Sequence, residues 1–199
     1  KGVDVGQLQA ELEAALSEKT EGTPDFRNWS ASLLADYIEE RHHTYVREKL
    51  PMLLQYSEKV AKVHGHAHPE VVRLAGMVRE LASELEQHLM KEERILFPYV
   101  RQLARAAKGE GTVMAPPFGT VENPIRVMRH EHDHAGELMR QMRALTDDFT
   151  PPEYACNTWR VLYQLLDEFE RDLHMHVHLE NNLLFPKAEA LEKEWTTTP

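Results

Sequence analysis

At 199 residues, with 42% apolar and 28% charged side chains, the chain is long enough for one domain with a sizeable core, or for such a domain and a small appendage. A formal net charge of −10 argues against nonspecific binding to nucleic acid or to an anionic membrane, and no apolar run approaches the roughly 20 residues of a membrane span. The single cysteine, Cys156, excludes an internal disulfide or a thiolate cluster and, with no signal peptide visible, points to a reducing cytoplasm.

Glycine is scarce, Leu, Glu, Ala and Arg are plentiful, and no run of alternating β-branched residues reads as a strand, so an all-α fold is expected. The chain opens on Lys1 rather than Met, which leads us to expect further sequence upstream. Residues 3–18 read as a short helix, and Thr20–Arg27, with Gly22 and Pro24, as a linker. Ser30 is a good N-cap for a long helix from Ala31 to about Val63, which Pro51 should kink. His64–Pro69 is a turn. A second helix runs from Glu70 to about Ala107 with Pro98 inside it. Lys108–Asn123 is a loop. Asn123 caps a third helix, with Pro124 in its first turn, reaching about Asp147. Thr150 caps a fourth, with Pro151 and Pro152 at its start, ending near Lys193, and Thr196–Pro199 is a tail. Four long helices with short connections favour an up-down-up-down four-helix bundle over residues 29–195, preceded by a short N-terminal helix and linker over 1–28.

Twelve histidines are the compositional anomaly. Two stretches organise them. HLMKEERILFP from His88 and HVHLENNLLFP from His176 share the pattern H-x-x-x-E-x-x-[IL]-L-F-P at a constant offset of 88 residues. One H-x-x-x-E is weak evidence, whereas the whole pattern at one offset suggests a duplicated helix pair related by a pseudo-twofold axis. Each copy should then bring an inward histidine from its first helix, which points to His43 and His132.

Helical phase tests this. Trp159, Leu162, Leu166, Phe169, Leu173, His176, Glu180 and Leu183 step by three and four along a single stripe. So do Leu74, Val78, Leu81, Leu85, His88, Glu92, Ile95 and Tyr99, and likewise Ile125, Met128, His132, Ala135, Met139 and Met142. His and Glu in an apolar stripe cost several kcal/mol unless their polar atoms are satisfied, and metal ions satisfy them. His174 and His178 fall with Asp167, Glu170, Arg171 and Asn181 on the wet side, as do His130 and His134. His64, His66 and His68 read as an exposed turn. Cys156 reads as a small buried apolar residue, and Leu96–Phe97 and Leu184–Phe185 as core plugs. On the first helix the phase leans to His43, which runs on into Val46, Leu50, Leu53 and Val60. His42 fits Leu34, Ile38 and Tyr45 instead, and the kink at Pro51 keeps both in play.

Four imidazoles and two carboxylates are too many for one tetrahedral zinc. They suit two metals sharing two bridging carboxylates, with an oxo or hydroxo bridge and about one open position on each metal. Mixed nitrogen and oxygen ligation fits iron or manganese. Glu84, one turn before His88, and Glu131, beside His132, are candidates for orienting the imidazoles or relaying protons. Surface charge is the plain alternative for both.

The segments RHHTYVREKLP (41–51), HLMKEERILFP (88–98), EHDHAGEL (131–138), FTPPEYACNTW (149–159) and HLENNLLFP (178–186) resemble the hemerythrin-like di-iron proteins, and more closely the Repair of Iron Centers family, from Trp29 onward. The resemblance implies a hemerythrin-like bundle holding two iron ions. It places the ligands on His43, His88, His132 and His176, with Glu92 and Glu180 as bridges, and so selects His43 over His42. It implies repair of iron–sulfur proteins damaged by nitrosative or oxidative stress, through iron donation, reduction of NO to nitrous oxide, or both. The family usually adds a small N-terminal domain with a Cys-Cys-Gly-Gly motif, of which residues 1–21 look like the last helix. Binding or sensing of O2 or NO is the alternative function. A symmetric four-histidine set departs from the five histidines typical of oxygen carriers, and nothing indicates the cage of a storage protein.

Overall fold

The computed structural model describes residues 24–197, and the short helix expected at 3–18 lies outside them. Among the described residues there is no strand. Four helical rods run up and down. The first joins α1 (Ala31–Tyr37), a π-helical segment (Ile38–His43) and α2 (Thr44–His64). The second joins α3 (Pro69–Lys91), a π segment (Glu92–Leu96) and α4 (Phe97–Ala106). The third is α5 (Glu122–Leu145), and the fourth joins α6 (Asn157–Leu179), a π segment (Glu180–Leu184) and α7 (Phe185–Thr197). A 3-10 turn, Phe26–Asn28, precedes them within the expected linker.

Ser30 caps α1 as expected, its Oγ accepting from the Leu33 amide at 3.2 Å. Elsewhere the ends differ from the sequence reading. Asn123 lies inside α5, and its side chain donates back to the Phe118 carbonyl at 2.9 Å instead of capping. After α5, Asp147, Asp148 and Phe149 take left-handed φ values of 48°, 55° and 56°. The fourth rod then starts at Asn157, not at Thr150. Arg160 explains the delay, because its guanidinium binds the carbonyls of Pro152, Glu153 and Ala155 and holds that stretch as a turn. Pro51 does not interrupt the helix: α2 continues through it, and the exposed position leaves the carbonyl freed by the missing N–H open to water.

The irregularities sit instead in the three π segments. In two of them the Phe97 and Phe185 amides reach back five residues, to the carbonyls of Glu92 and Glu180. Pro98 and Pro186 follow at the next residue and cannot donate, so the hydrogen-bond ladder slips where an α-helix would need that bond. The extra residue turns everything beyond it by about 100°. Ile95, expected in the core, is therefore 47% exposed, while Leu96 and Phe97 are buried. Leu183 is likewise only half-buried, with Leu184 and Phe185 buried.

The apolar interior is divided in two. One core gathers Leu50, Leu81, Leu85, Trp159, Leu166 and Phe169. The other gathers Leu34, Ile38, Phe97, Val100, Ile125 and Phe185. Between them lies a layer of buried polar residues contributed by all four rods. Arg143 closes α5 onto α6 through Glu170 and through Asp167 at 2.7 Å. Glu170, expected on the wet side, is thus buried under its cation.

Candidate metal centre

The polar layer holds all six residues that the repeat singled out. His43, His88, Glu92, His132, His176 and Glu180 are each buried, and the two glutamates and His43 are fully so. Their atoms form two overlapping quartets, His43–Glu92–His176–Glu180 and His88–Glu92–His132–Glu180. Within each quartet the ligand atoms lie within 4.8 Å of one another. Both glutamates belong to both quartets. Glu92 Oε2 sits 3.3 Å from His43 Nε2 and 3.4 Å from His88 Nε2. Glu180 turns Oε2 to His132 Nε2 at 3.0 Å and Oε1 to His176 Nε2 at 3.1 Å. The pseudo-twofold relation also shows in the packing. Phe97 stacks on His43 with ring centroids 5.5 Å apart, and Phe185 on His132 at 6.0 Å.

The chemistry of this layer fits cations. Both oxygens of Glu92 and Nε2 of His43 are buried with no hydrogen-bond partner among the described residues. Such atoms cost a few kcal/mol each if left bare. Burial, and then the facing Glu180 carboxylate, pushes Glu92 well above the usual carboxylate range. Burial also opposes the charge on Glu180, but His176 and His132 pull it well below that range. Burial first, and then His176, lowers His43 to about 4, leaving its nitrogen free to bind a cation.

The other imidazole nitrogens define the outer ring of the centre. His43 Nδ1 donates to Glu93 Oε1 at 2.7 Å, and Arg47 holds that carboxylate at 2.6 Å. His88 Nδ1 donates to Glu131 Oε2 at 2.9 Å, and Lys91 pairs with the same carboxylate. His132 Nδ1 donates to Asn181 Oδ1 at 3.2 Å. Such partners fix the tautomer and turn Nε2 toward a ligand. The contact with His88, ahead of that with Lys91, brings Glu131 down to about 2.

Of the two outer acids singled out from the sequence, Glu131 thus touches a histidine of the layer. Glu84 meets His134 at 3.1 Å on the surface. The sequence reading missed Glu93 and Asn181, although the repeat carried the signal. Each directly follows a glutamate of the layer, at the same offset of 88 residues. Both histidines that the helical phase kept in play on the first rod are buried, and His42 has Nδ1 donating to Asp172 at 3.0 Å and its ring stacked on His176.

His174 and His178 are exposed. His64 and His68 are not fully exposed, because both rings rest on Trp159, at 5.0 and 5.1 Å. Cys156, expected to be buried, is exposed at the N-cap of α6, with Sγ 3.3 Å from His64 Nε2.

A narrow cavity leads into the layer. Leu85, Ala135, Leu173 and Val177 form its walls, His88, His132 and His176 its inner end, and Glu84 and Glu131 its remaining lining. Its free space, about 10 Å³, admits the centre of one water-sized molecule. No helix among the described residues is long and apolar enough to cross a membrane.

Comparison with known proteins agrees with this geometry. Residues 34–188 match the model of the hemerythrin HHE cation binding domain. The chain is 45% identical over 183 residues to the iron-sulfur cluster repair protein YtfE of Musicola paradisiaca, covering 90% of this chain and 76% of that protein. It is 43% identical over 191 residues to the protein of that name from Pectobacterium carotovorum, covering 94% and 79%. The protein of the same name from Yersinia pseudotuberculosis is 40% identical over 186 residues, covering 94% and 78%.

Proposed function

Since the chain belongs to the hemerythrin HHE cation-binding family and, within it, to the iron–sulfur cluster repair proteins, we propose that its buried layer holds two iron ions and that it restores damaged iron–sulfur clusters. The observation that carries the reading is the pair of quartets sharing Glu92 and Glu180. In this reading His43 and His176 would hold one ion, His88 and His132 would hold the other, and Glu92 and Glu180 would serve both. When bound in the ferrous state, the pair supplies two electrons and open positions for small ligands, enough with two protons to turn two NO into nitrous oxide and water.

The chain's own residues do the rest. Leu85, Ala135, Leu173 and Val177 give the passage apolar walls suited to a diatomic such as NO or O2. His88 and His132 hold their side of the layer at the inner end of that passage. Glu131, between Lys91 and His88, orients the imidazole and stands where a proton could be passed inward, and Glu84 lines the same passage. Donation of iron to a damaged iron–sulfur protein is the second arm of the proposal, and it requires that one ion leave more readily than the other. A cytoplasmic setting and a role in nitrosative or oxidative stress complete the reading.

Metal analysis with Mössbauer spectroscopy on iron-loaded protein tests it. Two antiferromagnetically coupled irons per chain are expected. One metal or none per chain would overturn the dinuclear assignment. Repair is then followed as recovery of a nitrosylated iron–sulfur protein, with nitrous oxide measured in parallel to separate the two arms.

A further inference from the structure

The repeat that builds the centre is broken at one place. In one direction the pseudo-twofold relation is intact, since His43 is held by Glu93 and His132 by Asn181, each from the residue after a glutamate of the layer. In the other direction it is not. His88 is held by Glu131, the residue just before His132. The equivalent residue, just before His43, is His42, and it ought to hold His176. An imidazole stands there instead, and its own Nε2, the one acceptor it offers, is not brought to His176 and is likewise buried without a partner among the described residues. His42 turns its Nδ1–H to Asp172 and only stacks its ring on His176, with centroids 5.5 Å apart. Nδ1 of His176 is consequently buried without a hydrogen-bond partner among the described residues.

On the His88–His132 side both imidazoles keep their outer partners, Glu131 and Asn181. Their two Nε2 atoms already lie 3.1 Å apart. That is about the edge of an octahedron with bonds near 2.1 Å, so two coordination positions are set before a metal arrives. Loss of an outer hydrogen bond to a ligating imidazole typically weakens a metal site by about 10- to 100-fold.

From this break in the repeat we propose that the two metal positions are unequal: the His88–His132 position fills first and holds its ion, and the His43–His176 position gives its ion up. His42 is the positioning residue that sets the difference. The inference rests on the dinuclear reading and deepens it, because it assigns the ion available for donation.

The test is equilibrium loading of the metal-free protein with one equivalent of ferrous iron under anaerobic conditions, followed by crystallisation and anomalous diffraction at the iron edge. A peak between His88 and His132, with little between His43 and His176, is the expected result. Equal peaks, or a stronger peak at His43–His176, would overturn the inference. Stepwise ferrous titration of His42→Glu and of the milder His42→Gln supplies the second arm. Both give His176 an acceptor, so the weaker dissociation constant should tighten by about 10-fold or more while the tighter one stays in place. Wild-type constants in both variants would show that position 42 does not set the difference. A chain that never takes up a second ion overturns the dinuclear reading and this inference with it. Two ions bound with equal affinity overturn the inference alone.

Discussion

Replacing Glu92 with Leu separates the two tasks of the buried layer, because it should abolish metal binding and stabilise the metal-free fold. Glu92 is fully buried, and neither carboxylate oxygen has a hydrogen bond. Burial and Glu180 already force the group toward its protonated form. Metal-free wild type therefore carries the desolvation of a carboxyl group that nothing offsets. Leucine has similar bulk, suits the stripe formed by Leu85, His88 and Leu96, and removes that cost. Exchanging buried charged groups for apolar residues of similar volume is often stabilising by about 1–4 kcal/mol, and we take about 2 kcal/mol for one carboxyl group. In a domain of this size that corresponds to a rise of about 4–8 °C in Tm. Thermal unfolding followed by circular dichroism in the presence of a chelator measures it, and metal analysis of the same protein after iron loading measures the loss. An Glu92→Leu protein that still binds both irons would refute the bridging role. A metal-free variant less stable than wild type would refute the account of the layer as an unsatisfied polar cost.

Further predictions follow from neighbouring parts of the molecule. Glu180→Leu should lose metal like Glu92→Leu but should not gain the same stability, because Glu180 is held by His132 and His176 at 3.0 and 3.1 Å; equal stabilisation of both variants would contradict that difference. His174→Ala, on the exposed face of α6, should leave iron content unchanged, and a fall would mean that the helical phase is misassigned. In the metal-free protein His43 is held at about 4, so the unfolded chain takes up its proton first as the pH falls below 6.5. Stability should drop between pH 6.5 and 4, by about 3 kcal/mol from this group, and His43→Leu should flatten that part of the urea-midpoint profile. Arg143→Ala strands the buried Glu170 carboxylate and should cost about 2 kcal/mol in urea unfolding with little change in iron content. An unchanged midpoint would show that Glu170 finds another partner.

The sequence by itself carried the bundle and the six residues of the buried layer. Amphipathic stripes with a period near 3.6 residues state which face of each helix is buried, and His or Glu on such a face stands out because burial without a partner is costly. The repeat around His88 and His176 then tied the four rods together. What periodicity could not carry was any departure from a regular helix. The π segments that begin at Glu92 and Glu180 shift the phase by one residue, which is why Ile95, expected inside with Leu96, is turned toward solvent while Leu96 stays buried. The start of α6 was decided by the Arg160 side chain reaching back over the turn, a contact that capping preferences alone do not register. Only the tertiary structure decided the outer ring. Glu93, Glu131 and Asn181 reach histidines on other rods, across 43 to 50 residues of sequence. It alone showed His42 turning away to Asp172, because whether a buried nitrogen finds an acceptor depends on which neighbour the packing brings within 3 Å.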